Sequence, residues 1–105
     1  MIEELHRLIQ IVRKLRAPDG CDWDNVQTSK SLIPYLLEET YEVIEAIETE
    51  DSALLKEELG DLLLHIIFQS EIANESDFFQ FSDSIKHVSD KLVDRHPHIF
   101  NDNKD

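Results

Sequence analysis

Residues 52–74 read as one long helix that is apolar on almost every side. At about 100° per residue, Leu59, Leu62, Leu63, Leu64, Ile66, Ile67 and Phe68 cover most of its circumference. One narrow polar stripe remains, made of Glu58, Asp61, His65 and Gln69. Such a helix has to be covered from several directions at once. Three further short helices give limited cover, so the pattern predicts a homo-oligomer built around this segment, a dimer or a dimer of dimers. Gly60 weakens the helix by about 1 kcal/mol relative to alanine, and its presence there is expected to permit a close helix contact.

The rest of the chain is also helical in pattern. Leu5, Leu8, Ile9, Val12 and Leu15 form a one-sided stripe over Ile2 to Arg16, which Ala17-Pro18-Asp19-Gly20 ends. A loop is expected from Cys21 to about Thr28. A second helix runs from about Ser31 to Glu50, with Pro34 in its first turn and Leu32, Ile33, Leu36, Leu37, Val43, Ile44 and Ile47 as its core stripe. Asp51 or Ser52 caps the long helix. Asp77 is expected to cap the last one, which ends before Pro97 and carries Phe78, Phe81, Ile85, Val88 and Leu92 on one side. No segment alternates with period two, and the chain has only 2 Gly and 3 Pro. The expected fold is all-α, an antiparallel four-helix bundle in a single domain over 1–105, with a disordered or extended tail at about 101–105.

Composition narrows the function classes. Leu, Ile, Val and Phe supply about a third of the chain, enough for a core despite the high charge. The net charge of −13 argues against nucleic-acid binding. No apolar run approaches the ~20 residues that span a bilayer, and no signal-peptide pattern opens the chain. A soluble cytoplasmic protein is expected, with no membrane partner. The single cysteine, Cys21, excludes a disulfide framework and a cysteine zinc cage.

The charge is unevenly spread. Between Glu38 and Asp61 lie ten acids and one base, Lys56. Two acid pairs stand out within that window. Glu39 and Glu42 are i, i+3 neighbours at the edge of the second helix's stripe. Glu58 and Asp61 repeat the spacing on the long helix, in its only polar stripe. Antiparallel packing would bring the pairs face to face. Carboxylates crowded in a low dielectric must take up protons or bind a cation, and oxygen-only ligands suit Mg²⁺, Mn²⁺ or Ca²⁺ rather than zinc. Glu38, Glu45, Glu48, Glu50 and Glu57 read as solvated surface on the same pattern.

Four blocks of sequence, in order, resemble the MazG nucleotide pyrophosphohydrolases, members of the all-α NTP pyrophosphatase superfamily. The first is Leu15-Arg16-x-x-Asp19-Gly20-Cys21-x-Trp23-Asp24-x-x-Gln27-Thr28. The second is Leu36-Leu37-Glu38-Glu39-x-Tyr41-Glu42-Val43. Glu57-Glu58-Leu59-Gly60-Asp61-Leu62-Leu63 and Lys91-Leu92-x-x-Arg95-His96-Pro97-His98-Ile99-Phe100 complete the set. Asp22 stands where that family commonly has proline, Ser29 where histidine is frequent and His65 where glutamine is frequent.

The resemblance implies hydrolysis of a nucleoside triphosphate to the monophosphate and pyrophosphate, with Mg²⁺ as the expected ion. On that reading Glu39, Glu42, Glu58 and Asp61 hold the metal and Glu38 orients or deprotonates the attacking water. With two glycines, the chain has no Gly-rich phosphate loop. Lys91 and Arg95, i, i+4 on the last helix, are therefore expected to bind phosphate oxygens. Trp23 and Asp24 are the residues expected at the nucleobase. Two alternatives stand beside this one: a base-selective dUTP or dCTP pyrophosphatase, and a non-catalytic helical dimer stabilised by metal.

Overall fold

The computed structural model describes residues 1–101 and is all-helical over them. The expected tail therefore lies, apart from Asn101, outside the described residues. The helices are α1 (Ile2–Arg16), α2 (Asp22–Asn25), α3 (Ile33–Glu48), α4 (Ser52–Glu75), α5 (Phe81–Arg95) and α6 (Pro97–Phe100). Four of them are the expected ones. The other two are single turns, α2 inside the expected loop and α6 after Pro97.

Local chemistry accounts for most of the ends. α1 carries Glu3 and Glu4 in its first turn and Arg13, Lys14 and Arg16 in its last, which suits the helix dipole at both termini. Asp51 caps α4 by accepting from the Leu54 amide at 3.0 Å. At α5 the expectation needs correction. Asp77 sits in the left-handed region with φ 59° and only ends the turn that follows α4. The cap is Gln80, whose amide donates to Asp83 Oδ2 at 2.8 Å while its own side chain accepts from the third helical position.

α4 is the axis of the molecule. It packs against α3, α1 and the start of α5, whereas the backbones of α1 and α3 do not approach each other. α3 and α4 are antiparallel. Leu32 at the start of α3 lies in the core with Ile67 and Phe68, while Glu39 lies level with Glu58 and Asp61. α1 runs alongside α4 in the same direction, as the pairs Arg13–Glu71 and Arg16–Glu75 show. Val12, Leu32, Ile67 and Phe68 form the buried centre, bordered by Leu5, Leu8, Ile9, Leu63, Leu64, Ile72 and Phe81.

The buried stripe of α3 differs from the expected one. Leu32, Leu36, Glu39, Val43 and Ala46, spaced alternately by four and three, face α4. Ile33, Leu37, Ile44 and Ile47 form a second stripe one residue round the helix, and all four are exposed. The long helix likewise leaves Leu59 and Ile66 uncovered. An alanine methyl at Gly60 would meet nothing within 4 Å, so the expected close contact is absent within the chain.

α5 does not close a bundle within one chain. Its backbone approaches only α4 and α6, and every residue from Ser82 to Arg95 is exposed. The radius of gyration is correspondingly 16.9 Å, against ~13 Å for a compact domain of similar length. No helix among the described residues is long and apolar enough to cross a membrane.

Candidate active site

The antiparallel pairing of α3 and α4 sets the site. Glu39 belongs to the stripe that α3 turns toward α4, so its carboxylate enters the interface rather than solvent. Glu58 and Asp61 sit one turn apart on α4 at the same level. One oxygen from each of Glu39, Glu58 and Asp61 falls within 4.8 Å of the others. Glu39 Oε1 and Glu58 Oε2 are buried and accept no hydrogen bond. Unpartnered buried carboxylate oxygens are costly. Their charge has to be met by a proton or by a cation from outside the protein.

The electrostatics agree. Glu39 is pushed up to about 8, first by burial, then by the close approach of the Glu58 carboxylate, then by repulsion from Glu42, Glu58 and Asp61. A carboxyl held protonated near neutral pH by its own neighbours is a group short of positive charge. No base of the chain forms an ion pair with these three acids among the described residues. Three hard oxygens converging with two orphaned positions match the donor set of a divalent ion such as Mg²⁺.

Of the four acids singled out in the sequence, the fold thus brings three together. Glu42 lies close enough to raise Glu39 but is not one of the converging set. Glu38 is exposed beside it on α3, and His65 stays outside the cluster. Lys91 and Arg95 are not brought to the acids within one chain. They line an open groove on α5 with His87, Asp90 and Asp94, and α5 does not approach α3. Trp23 is half exposed on α2, and its ring meets Tyr35 edge-on with centroids 5.6 Å apart. Tyr35 precedes Glu39 by one helical turn, so this aromatic corner lies on the face of α3 that leads to the acids. Nothing in the local pattern singles out Tyr35, because its partner comes from another element.

The turn bearing Trp23 and Asp24 is firmly held. Arg16, nearly buried at 8% side-chain exposure, donates through Nη1 to the carbonyls of Asp24 and Gln27, 2.8 Å each. Its Nε and Nη2 donate to the two Glu75 oxygens at 2.7 Å. That bidentate bond keeps Arg16 above its ordinary pKa despite the desolvation that opposes it. Phe68 underlies the guanidinium, 5.5 Å from the ring centroid. At the far end of the turn, Gln69 donates to the Ser29 carbonyl at 3.0 Å and its side-chain oxygen accepts from the Ser29 hydroxyl.

Residues 27–100 match the model of the MazG nucleotide pyrophosphohydrolase domain. The chain belongs to that family. It is 50% identical over 95 residues to the Thermotoga maritima nucleoside triphosphate pyrophosphohydrolase/pyrophosphatase MazG, covering 90% of this chain and 37% of that protein. It is 47% identical over 102 residues to the Escherichia coli nucleoside triphosphate pyrophosphohydrolase, covering 96% and 39%. An uncharacterized Bacillus subtilis protein, YabN, is 44% identical over 104 residues, covering 99% and 21%. The chain therefore spans between about a fifth and two-fifths of the length of these relatives. All four MazG-like blocks fall inside the regions that these matches cover or adjoin.

Proposed function

We propose that this MazG domain hydrolyses nucleoside triphosphates to the monophosphate and pyrophosphate, with Mg²⁺ held by Glu39, Glu58 and Asp61 and assisted by Glu42. The reading rests above all on the pair of buried, unpartnered oxygens at Glu39 and Glu58. A divalent ion bound there supplies charge neutralisation for the phosphates; Mn²⁺ satisfies the same donors. Glu38, exposed beside Glu39, accepts a proton from the attacking water. The water oxygen forms a bond to phosphorus as the bridging bond between the α and β phosphates breaks, and pyrophosphate departs. Trp23 and Asp24 take the base end of the nucleotide.

Lys91 and Arg95 serve as phosphate ligands in this reading, and they reach the acids from a second copy of the chain. The uncovered stripes on α3, α4 and α5 support such a homo-oligomer, since apolar rows of this extent are unusual on a monomer.

The test is product analysis on mixed NTPs and dNTPs, with and without Mg²⁺. Pyrophosphate and monophosphate are expected only with the metal. Asp61→Ala is expected to lower turnover about a thousandfold with helix content retained by circular dichroism. Unchanged turnover in that variant, or equal turnover in EDTA, would refute the assignment. Mg²⁺-linked thermal stabilisation without turnover would favour the non-catalytic helical dimer.

A further inference from the structure

We infer that Arg16 is a positioning residue of the nucleotide site: it fixes the Trp23–Gln27 turn in its binding orientation and touches no substrate itself. The inference rests on the proposed placement of Trp23 and Asp24 at the base.

Surface turns are ordinarily loosely held. This one is held from three sides. Beneath it, the Arg16 guanidinium makes two bonds to the carbonyls of Asp24 and Gln27 that end the α2 turn, and two to Glu75 on α4. Before it, the chain passes so close to the end of α1 that a Cβ at Gly20 would come within 2.4 Å of the Lys14 carbonyl oxygen. After it, Gln69 binds both the hydroxyl and the carbonyl of Ser29. The four bonds of Arg16 tie three separate elements, α1, the turn and α4, to one planar group.

That arrangement needs arginine. A guanidinium offers donors along two edges in a fixed plane, so one edge serves a carboxylate and the rest serves carbonyls. A lysine ammonium keeps the charge but cannot span both sets. The investment also exceeds what holding α1 to α4 requires, because Arg13 and Glu71 already pair one turn earlier at 2.8 Å. What Arg16 adds beyond that pair is the grip on two main-chain oxygens of the turn. Their orientation decides where the Trp23 ring and the Asp24 carboxylate point. Preorganising such groups lowers the ordering cost of binding rather than the barrier to chemistry.

The decisive variants are Arg16→Lys and Glu71→Gln in the full chain, with two readouts. Trp23 is the sole tryptophan, so acrylamide quenching of its fluorescence reports the turn directly. Steady-state pyrophosphate release reports KM and kcat separately. Arg16→Lys is expected to raise the quenching constant about twofold and KM about tenfold, with kcat within about twofold. Glu71→Gln breaks the Arg13 pair, which joins α1 to α4 but makes no bond to the turn, and is expected to lower the melting temperature while KM and quenching stay at the wild-type values. Wild-type quenching and KM in a folded Arg16→Lys protein would overturn the inference. So would an equal rise of KM in Glu71→Gln, which would make loss of stability the cause. Should the wild-type chain release no pyrophosphate, the proposed activity fails, and the quenching comparison still decides whether Arg16 sets the turn.

Discussion

The two halves of α4 treat their acids in opposite ways. Toward its C-terminus, Glu71 is only 4% exposed, yet Arg13 donates to it at 2.8 Å. One turn on, Glu75 receives Nε and Nη2 of Arg16 at 2.7 Å. Toward the N-terminus, Glu58 buries an oxygen with no partner beside Glu39 and Asp61. A helix that compensates two of its acids with arginine leaves Glu58 and Asp61, about three to five turns away, without one. In a chain with 10 bases for 23 acids, Arg13 and Arg16 of α1 are engaged by the C-terminal half of α4, and no base pairs with the acid cluster among the described residues. The proposed metal ion would supply the counter-charge that this half lacks.

The largest effect should come from supplying that counter-charge. In the metal-free chain, Glu39 titrates at about 8 when folded and near 4.5 when unfolded. Between those values the folded state binds more protons than the unfolded state, so stability falls as pH rises from about 4.5 through 8. Mg²⁺ at a hundred times its dissociation constant should add about 2.7 kcal/mol. Its affinity should increase over the same pH window, because the ion replaces the proton. Thermal melts at pH 5, 7 and 9, with and without MgCl₂, measure both trends. A flat metal-free profile, or an unchanged Mg²⁺ effect in Glu39→Gln, would remove the contrast between the two halves.

A smaller effect, and one that differs in sign, comes from neutralising one acid in each half. Glu71→Gln should destabilise the chain by about 2 kcal/mol, since it breaks a charge-assisted bond in a buried position. Arg13 is half exposed, which keeps the figure below that of a fully buried pair. Glu39→Gln should stabilise the metal-free chain by about 1 kcal/mol, because it removes a carboxylate that its neighbours repel. Urea unfolding at pH 8 in EDTA reads both. Loss of stability in the two variants alike would mean that the acid cluster has an internal partner after all.

How far these regions were legible in the sequence differs for physical reasons. α1 and α4 were legible because periodicity and the Asp51 cap are local signals. The acid cluster was legible because i, i+3 spacing on two helices with a short connection leaves little freedom in how they meet. The buried side of α3 was not, since the rows beginning at Leu32 and Ile33 are equally apolar and only the partner helix chooses between them. The same holds for the cap of α5, where Asp77 ranks above Gln80 by propensity but the reciprocal bond with Asp83 decides. The placement of α5, and with it Lys91 and Arg95, depends on contacts that local pattern does not encode. Arg16 was visible as a basic residue ending a helix and as part of the first MazG-like block, but with no role attached; its carboxylate partner lies 59 residues away.

The smallest effect is a control on the comparison itself. Lys86 and Asp90 also form an ion pair, i, i+4 along α5, with side chains 76% and 60% exposed. The bond with Asp90 raises the Lys86 pKa, as Glu71 does for Arg13. If pairing alone stabilised this chain, removing Lys86 would matter as removing Glu71 does. Solvent screening and the entropy of ordering two long side chains argue otherwise. Lys86→Ala should leave the urea midpoint unchanged within error at moderate salt, while Glu71→Gln lowers it. Equal shifts in the two variants would show that burial is not what separates the compensated acids of α4 from ordinary surface charge. The reading of the bare cluster at Glu39 and Glu58 as a cation site would then lose its energetic basis, because an unpaired acid would no longer be costly enough to need explaining.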